Sequence, residues 1–352
     1  MSTIDALRWQ AMTASVNEMK SANSWLQNTY FSNHDPQNME VIQMDIIHKA
    51  RETAPFVVKN GEAIMVGGYS TTAQIVEAPN IRIKRPMTAS ELLFGRRPGT
   101  AIYPQGNEQI DAAAQHVARD LQVMSDLVTN AVELLCAQAI QGTISYEQED
   151  AAVFQITFPK PAGNNITLGT FWNDATPANV DFNGDLHTAK RVINNEVSLE
   201  VSDAICGTEA SDAFRSLVAG GHVKTLDLRN VMGGTATFEN QFNTEGVIYM
   251  GSVDGINFWE YGRTASVNGV ATPMIRAKYV EFMARSAAAQ RTLYYGAIAD
   301  MQALEASVYV AERFSKSWLT DDPSARMSLL ASRPLPVPRR PGAMVSMKVV
   351  SG

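Results

Sequence analysis

The amino-acid sequence predicts an α+β fold, and three observations support that prediction. An apolar stripe with helical spacing runs from residue 107 to residue 141, which predicts one long helix. Farther along, strand-like and helix-like segments follow one another in an order typical of α+β proteins. The dipeptides Asp254-Gly255 and Asn268-Gly269 are strong signals of β-hairpin turns. With 352 residues, the chain is long enough for two or three compact units.

The composition is that of a folded protein, and it argues against several functional classes. Charged residues make up only 18% of the chain, as expected where partners cover much of the surface. The formal net charge is -7, whereas a dedicated nucleic-acid binder normally has a basic excess. No apolar stretch approaches the roughly 18 to 20 residues of a membrane span, and residues 1–10 lack the layout of a signal peptide. We therefore expect a protein that is made and kept in a cytoplasm, without a membrane.

Two cysteines, Cys136 and Cys206, are too few for a disulfide framework and too far apart in sequence for a metal-binding pair. Each lies in an apolar run. We expect both to be small buried hydrophobic residues in a reducing compartment.

The first 60 residues are predicted to form an N-terminal arm laid over another part of the assembly. Ala6, Trp9, Met12 and Val16 recur at helical spacing and predict a short amphipathic helix. The polar, turn-rich segment 28–38 is typical of a linker that reaches out rather than packs.

Residues 61–105 are predicted to form a projecting hairpin. Its strand-like runs contain Pro79 and Pro86, which restrict them to sheet edges or to a free hairpin. Its apolar periodicity is too weak for a core of its own. We predict that the hairpin lies on a neighbouring protein through salt bridges made by its basic residues; a nucleic-acid patch is the alternative. These residues are Arg82, Lys84, Arg85, Arg96 and Arg97.

The helix predicted for residues 107–141 has its apolar residues on one stripe. At 1.5 Å per residue, roughly 35 residues span about 50 Å, and Gly142 is a suitable end. We favour a spine packed on a sheet over a coiled coil, because the stripe contains two alanines and the repeat does not continue elsewhere. The stripe consists of Ile110, Ala114, Val117, Leu121, Met124, Val128, Ala131 and Leu135.

The remaining sequence predicts alternating elements. A strand near residues 152–159 is followed by a loop and by a helix whose apolar stripe runs from Leu186 to Val201. A strand, a turn at Gly207 and a helix ending at Gly220 come next. Residues 246–310 are strand-rich. From Ser307 onward we expect a strand, a turn and two further strands interrupted by prolines.

The common catalytic signatures are absent from the sequence, which contains no GxGxxG, Walker phosphate loop, GxSxG, HExxH or CxxC motif. The five histidines have no ligand spacing, and Asp321-Asp322 is better explained by a turn than by a cation site. We therefore predict no catalytic residue, no cofactor and no metal. The alternative is a cytoplasmic α+β enzyme whose site is assembled from scattered acids such as Asp181, Asp185 and Glu196.

The order of arm, basic hairpin, long helix, α+β region and strand-rich return resembles the tailed-phage capsid fold. The C-terminal block is similar to that of the lambda-type major capsid proteins, the phage major capsid protein E family. Asn164 to Thr167 and the segment 294–310 are also similar to that family. The matching positions in the C-terminal block are Trp318, Asp322-Pro323, Arg326, Ser332, Pro334-Leu335 and Val345 to Val350.

The resemblance implies four regions. They are an N-arm (1–60), an extended E-loop (61–105), a peripheral domain with the spine helix (106–185 and 300–352) and an axial domain (186–299). It also implies a shell protein without enzymatic activity, which assembles into pentamers and hexamers and encloses double-stranded DNA without reading its sequence.

The resemblance implies assembly in the host cytoplasm, final location in the virion, and as partners a portal and, in some shells, a decoration protein. Because the chain starts directly with the arm, scaffolding is expected from a separate protein. An encapsulin-like compartment is the alternative among shells.

Overall fold

A computed structural model describes residues 9–18, 24–48, 70–88, 108–147, 153–223, 246–267, 269–305, 309–321 and 325–352. The helices in these ranges are α1 (Trp9–Glu18), α2 (Trp25–Tyr30), α3 (Glu108–Gln141), α4 (Phe182–Val197), α5 (Thr208–Ala219) and α6 (Met301–Glu305). The strands are β1 (Asn33–Pro36), β2 (Val41–His48), β3 (Ser70–Glu77), β4 (Ile81–Thr88), β5 (Thr143–Glu147), β6 (Val153–Thr157), β7 (Asn165–Thr167), β8 (Asp203–Cys206), β9 (Val247–Val253), β10 (Ile256–Tyr261), β11 (Thr264–Val267), β12 (Val270–Pro273), β13 (Tyr279–Met283), β14 (Arg291–Tyr295), β15 (Phe314–Thr320), β16 (Ala325–Ser332), β17 (Pro334–Pro338) and β18 (Met344–Lys348).

The predicted spine helix is confirmed as α3, which has 34 residues and ends where Gly142 adopts a φ of +96°. Leu121, Met124, Val128 and Leu135 of the predicted stripe are buried. Val132, rather than Ala131, is the buried apolar residue between Val128 and Leu135, so the apolar stripe shifts by one position there. The side chains of Ile110, Ala114 and Val117 lie outside the described residues.

The expectation that no apolar stretch approaches the length of a membrane span is wrong for α3. Residues 118–141 are long and apolar enough to meet the length and composition of a membrane span. In the structure, 61% of the most apolar window of that segment is buried inside the protein. The apolar side chains are therefore explained by packing within the fold.

The first core surrounds α3. The helix contacts α1, α2, β16 and β17. Two three-stranded sheets frame this core, with the strand orders β1-β14-β17 and β15-β16-β4. The short helix α1 packs against β15, where the Thr13 hydroxyl donates to the Ser315 carbonyl at 3.0 Å. The predicted first helix is thus confirmed, and Met12 and Val16 are buried.

The second core lies on a six-stranded sheet with the order β7-β18-β13-β8-β10-β9. Helix α5 packs on β8, β10 and β13, and α4 packs on β18. Phe214 and Phe258 stack with ring centroids 4.5 Å apart in this core. The predicted regions group residues 344–348 with the spine helix, but β18 is hydrogen-bonded between β7 and β13. The chain end therefore returns to the second core.

Both predicted hairpins are present. β9 and β10 meet at Asp254 and Gly255, whose φ angles of 51° and 78° are those that a tight hairpin turn requires. β11 and β12 are joined across Gly269, at φ 79°.

Two local predictions are wrong. Residues 28–38 do not reach out as a linker, because Trp25–Tyr30 is helical and Asn33–Pro36 pairs in parallel with β14. In addition, Val201 is buried but does not belong to α4. That helix ends at Val197, and Ser198 adopts a left-handed φ of 58°.

Candidate subunit-contact surface

Of the five basic residues predicted to contact a neighbour, three lie in the described part of the chain. Arg82, Lys84 and Arg85 are exposed residues of β4. This strand forms the edge of the β15-β16-β4 sheet, and Pro86 lies within it opposite Met327. The base of the predicted hairpin is therefore an edge strand of its own subunit. Arg96 and Arg97 lie outside the described residues.

Two of these arginines also approach carboxylates of their own chain. Arg82 Nη2 lies 3.8 Å from Asp300 Oδ2, and Lys316 Nζ lies 2.5 Å from the same oxygen. Arg85 Nε lies 3.4 Å from Asp120 Oδ1 on α3. Both carboxylates are buried, whereas each arginine side chain is nearly half exposed. The arginines thus hold β4 to the subunit and present the rest of each guanidinium outward.

A second exposed surface is the outer face of the ribbon formed by β2 and β3. Its inner face is apolar and buried, with Ile42, Met44 and Ile46 in the core. On the outer face, Val41 is 43% exposed and Ile75 is 73% exposed. Large apolar side chains exposed together are typical of protein contacts.

Arg333 fixes the ribbon at its base. This arginine is buried, and its guanidinium contacts Glu40 at 3.1 Å and Glu77 at 3.0 Å. It also donates to the backbone carbonyl of Ala297 at 3.3 Å. Because Glu40 lies next to β2 and Glu77 ends β3, one buried cation joins both strands to the body of the fold.

The most connected buried carboxylate is Glu133 in α3. It accepts hydrogen bonds from the backbone N–H of Leu26 at 2.8 Å and of Gln27 at 3.1 Å, at the start of α2. It also accepts one from the Tyr261 hydroxyl at 2.8 Å. Burial raises the pKa of Glu133 above its usual range, while these hydrogen bonds oppose that shift. The sequence signal for this residue is an acid within the apolar part of a predicted helix, and the sequence alone does not reveal its partners.

Two further buried carboxylates brace the second core. Asp203 accepts two hydrogen bonds from Arg285 at 2.9 Å each, and one from Trp259 Nε1 at 3.0 Å. Glu281 accepts from Arg276 at 2.7 Å, and Lys160 Nζ lies 3.9 Å away. Burial lowers the pKa of Lys160 to about 8, although Glu281 opposes the shift. Each carboxylate is held by fixed donors, as in a structural ion pair.

The acids considered for an enzyme site have separate structural roles. Asp181 caps α4 by accepting from the Gly184 N–H at 3.0 Å. Asp185 accepts from Trp172 Nε1 at 2.9 Å, and burial raises the pKa of Asp185 to about 6. Glu196 is exposed three turns farther along α4. The structure therefore does not bring the three acids together.

Of the remaining candidate groups, the two cysteines have the role expected of them. Cys136 and Cys206 are free thiols and fully buried, as predicted. Within the described ranges, no group of three or more His, Cys, Asp or Glu residues could hold a metal ion. Among the histidines, His34 Nδ1 contacts Glu312 at 2.9 Å. Asp322 lies outside the described residues.

The chain matches a model of a known protein family and is similar to several solved structures. A family model described as phage major capsid protein E matches residues 8–349. Among curated protein sequences, none matches this chain.

Among solved structures, the chain is similar to a protein assigned as a capsid protein of a prophage of Escherichia coli CFT073. The TM-score is 0.71 at 15% identity, covering 98% of this chain and 99% of the other. It is also similar to the capsid of cyanophage P-SCSP1u, with a TM-score of 0.51 at 10% identity over 95% and 90% of the two chains. An encapsulin of Synechococcus elongatus PCC 7942 reaches a TM-score of 0.50 at 10% identity over 94% and 88%. At these identities, the structural likeness establishes the fold alone.

Proposed function

The chain belongs to the phage major capsid protein E family, and from this premise we propose how its surfaces build a phage head. It is a shell-forming major capsid protein with the α+β capsid fold of tailed phages. The family points to a structural role in the virion, and we infer that the chain has no enzymatic activity. The match across residues 8–349 is the observation that carries this conclusion.

We propose that pentamers and hexamers form around the tips of the axial region 186–299. The E-loop then overlaps a neighbouring subunit, and the N-arm contributes strand β2 of the ribbon to that contact. Two exposed surfaces support this arrangement, the edge strand β4 and the outer face of the β2–β3 ribbon with its exposed Val41 and Ile75. Both are surfaces of the subunit that a neighbour can cover. Obligate interfaces of this kind typically bury more than about 2,000 Å².

The basic residues Arg82, Lys84, Arg85, Arg96 and Arg97 are proposed to contact the neighbour. Arg82 and Arg85 would serve two contacts, one with the neighbour and one within the subunit, since each guanidinium also approaches a carboxylate of its own chain. Arg96 and Arg97, which lie outside the described residues, are proposed to act between subunits only.

We further propose that a separate scaffolding protein, a portal and, in some shells, a decoration protein assist assembly in the host cytoplasm. The finished shell encloses double-stranded DNA without reading its sequence. The net charge of -7 supports this proposal, because an acidic wall tolerates the polyanion without binding it tightly.

Electron microscopy and analysis of the contents of purified particles test the proposal. Particles treated with nuclease and then opened should release protected double-stranded DNA. Particles that instead contain a co-purifying enzyme and no protected DNA would favour the encapsulin-like compartment. A chain that stays a small soluble species in the infected cell would contradict both shell functions.

A further inference from the structure

A cleft of about 360 Å³ lies where the two cores meet. Its walls come from the end of α2 and the start of β1, from the segment between β13 and β14, and from the residue that follows β17. Three arginines line it, Arg285, Arg291 and Arg339, and none of the described residues that line it is acidic. A basic cleft is unexpected in a chain with a net charge of -7.

Each arginine is held in place by a contact behind the cleft. Arg285 is gripped by both oxygens of Asp203. Arg291 donates from Nη2 to the Ala284 carbonyl at 2.9 Å. Arg339 donates to the Tyr294 hydroxyl, and its guanidinium carbon lies 5.6 Å from the centre of the Tyr294 ring. The three cations are therefore fixed before any ligand arrives, which lowers the entropy cost of binding.

The positive charge of the cleft is only partly compensated. Asp203 forms an ion pair with Arg285 and also attracts Arg291 through space, but neither Arg291 nor Arg339 forms an ion pair of its own within the described residues. Arg291 is only 7% exposed, and its Nε has no hydrogen-bond partner there. Burial lowers the pKa of Arg291 to about 10, so the side chain remains protonated at neutral pH. Burying a cation without an acceptor for one of its N–H groups costs free energy, and a bound anion offsets that cost.

Two hydroxyls on the wall can add further hydrogen bonds. The Ser286 hydroxyl accepts from the Ala288 N–H at 3.2 Å, and the Thr292 hydroxyl accepts from the Asn33 amide at 3.2 Å. Because both oxygens already act as acceptors, their hydrogens are available to a ligand in the cleft.

From this arrangement we propose that the cleft binds a phosphate group, either as free orthophosphate or on a small phosphorylated molecule. Arg291 and Arg339 supply positive charge that has no ion-pair partner in the described part of the chain, and the hydroxyls of Ser286 and Thr292 supply neutral donors. This site is distinct from the subunit contacts proposed above and does not depend on them.

The chemistry of the cleft fits a phosphate better than a carboxylate. A phosphate monoester carries a charge of about -1.5 to -2 and three strong acceptor oxygens. The three guanidinium groups, with Asp203 as the one carboxylate described as acting on Arg285 and Arg291, leave a positive charge that suits such a group, and the hydroxyls can serve oxygens that a carboxylate lacks. The cleft is also large, since 360 Å³ is roughly the volume of a dozen water molecules. It has room for a phosphate together with the group that carries it.

Equilibrium dialysis with radiolabelled orthophosphate tests the site on purified full-length protein, at constant ionic strength. The wild type should show saturable uptake near one phosphate per subunit. R339Q should bind roughly tenfold more weakly, the loss expected for one charge-assisted hydrogen bond. R191Q is the matched control, because Arg191 is an exposed residue of α4 that does not line the cleft, and its uptake should equal that of the wild type.

R339K is a second test variant, because it keeps the positive charge but lacks the planar guanidinium group with its paired N–H donors. Its affinity for phosphate should lie between those of the wild type and R339Q. Circular dichroism checks that each variant is folded. The proposal is overturned if the wild type takes up no more phosphate than R339Q. It is equally overturned if acetate at the same concentration displaces the bound phosphate, or if a DNA oligonucleotide binds where orthophosphate does not.

Discussion

The carboxylate of Glu133, in the C-terminal half of the spine helix, accepts a 2.8 Å hydrogen bond from the hydroxyl of Tyr261, which ends strand β10. The same carboxylate caps helix α2 by accepting from Leu26 and Gln27. One side chain therefore connects the N-terminal segment, the spine helix and a strand of the second sheet. This connection explains why residues 24–48 pack on the subunit instead of extending from it.

The first prediction concerns this connection. E133A leaves two backbone N–H groups and one hydroxyl without their acceptor in a buried site, and should lower the free energy of unfolding by about 3 kcal/mol. Y261F removes a single donor and leaves the cap of α2 intact, so its loss should be about 1 kcal/mol. Urea denaturation of the unassembled subunit measures both. Equal losses would show that the cap of α2 contributes nothing.

The second prediction concerns pH. Burial raises the pKa of Glu133 in the folded protein above its ordinary value of 4.5. Between pH 4.5 and the raised pKa of Glu133, the folded state binds more protons than the unfolded state. The free energy of unfolding therefore falls as pH rises through that interval. E133Q cannot titrate. The free energy of unfolding of the wild type, relative to that of E133Q, should therefore decline from acid pH toward neutrality, and a rising difference would contradict this account.

The third prediction concerns the E-loop. Reversing Arg96 and Arg97 to Glu should leave the circular dichroism and melting temperature unchanged but prevent particle formation, as measured by sedimentation. Each exposed ion pair contributes only about 0 to 1 kcal/mol. In a shell the loss repeats at every subunit contact, so small losses multiply. Normal assembly of the double variant would show that this loop does not clamp the neighbour.

A matched variant separates assembly from folding. R85E places a carboxylate beside the buried Asp120 of the same chain. Like charges repel most strongly where water is scarce, so R85E should lower the melting temperature of the isolated subunit, unlike the double reversal. Unchanged melting of R85E would mean that the Arg85–Asp120 contact does not stabilise the subunit.

The fourth prediction concerns the two thiols. Cys136 and Cys206 are fully buried, and burial raises the pKa of both thiols. A thiol reagent should therefore label neither in native protein and both after denaturation. The double replacement by Ala should still assemble, at a stability cost of about 1 kcal/mol or more. Rapid labelling of native protein would contradict the described burial.

The parts of the fold that the sequence predicted correctly depend on local patterns. The period of Leu121, Met124 and Val128 is enough to predict a helix, and Asp254-Gly255 is enough to predict a tight turn. The segment from Asn28 to Asn38 was misread because its polar composition resembles a linker. Its strand exists only because β14, more than 250 residues later, pairs with it.

The candidate sites were less predictable for the same reason. Glu133 and Leu26 are 107 residues apart, and the arginines of the basic cleft approach one another only after β14 and β17 have paired. No periodicity in the sequence encodes such contacts. The basic residues of the E-loop could be predicted from composition, but the ion pair between Arg85 and Asp120 could not.

The most direct test of the central claim is a cryo-electron microscopy reconstruction of particles purified from infected cells. We predict a closed icosahedral shell whose repeating unit is this fold, with residues 89–105 lying on the adjacent subunit. Particles built from another protein, or this chain found only as separate subunits of 38.4 kDa, would contradict it.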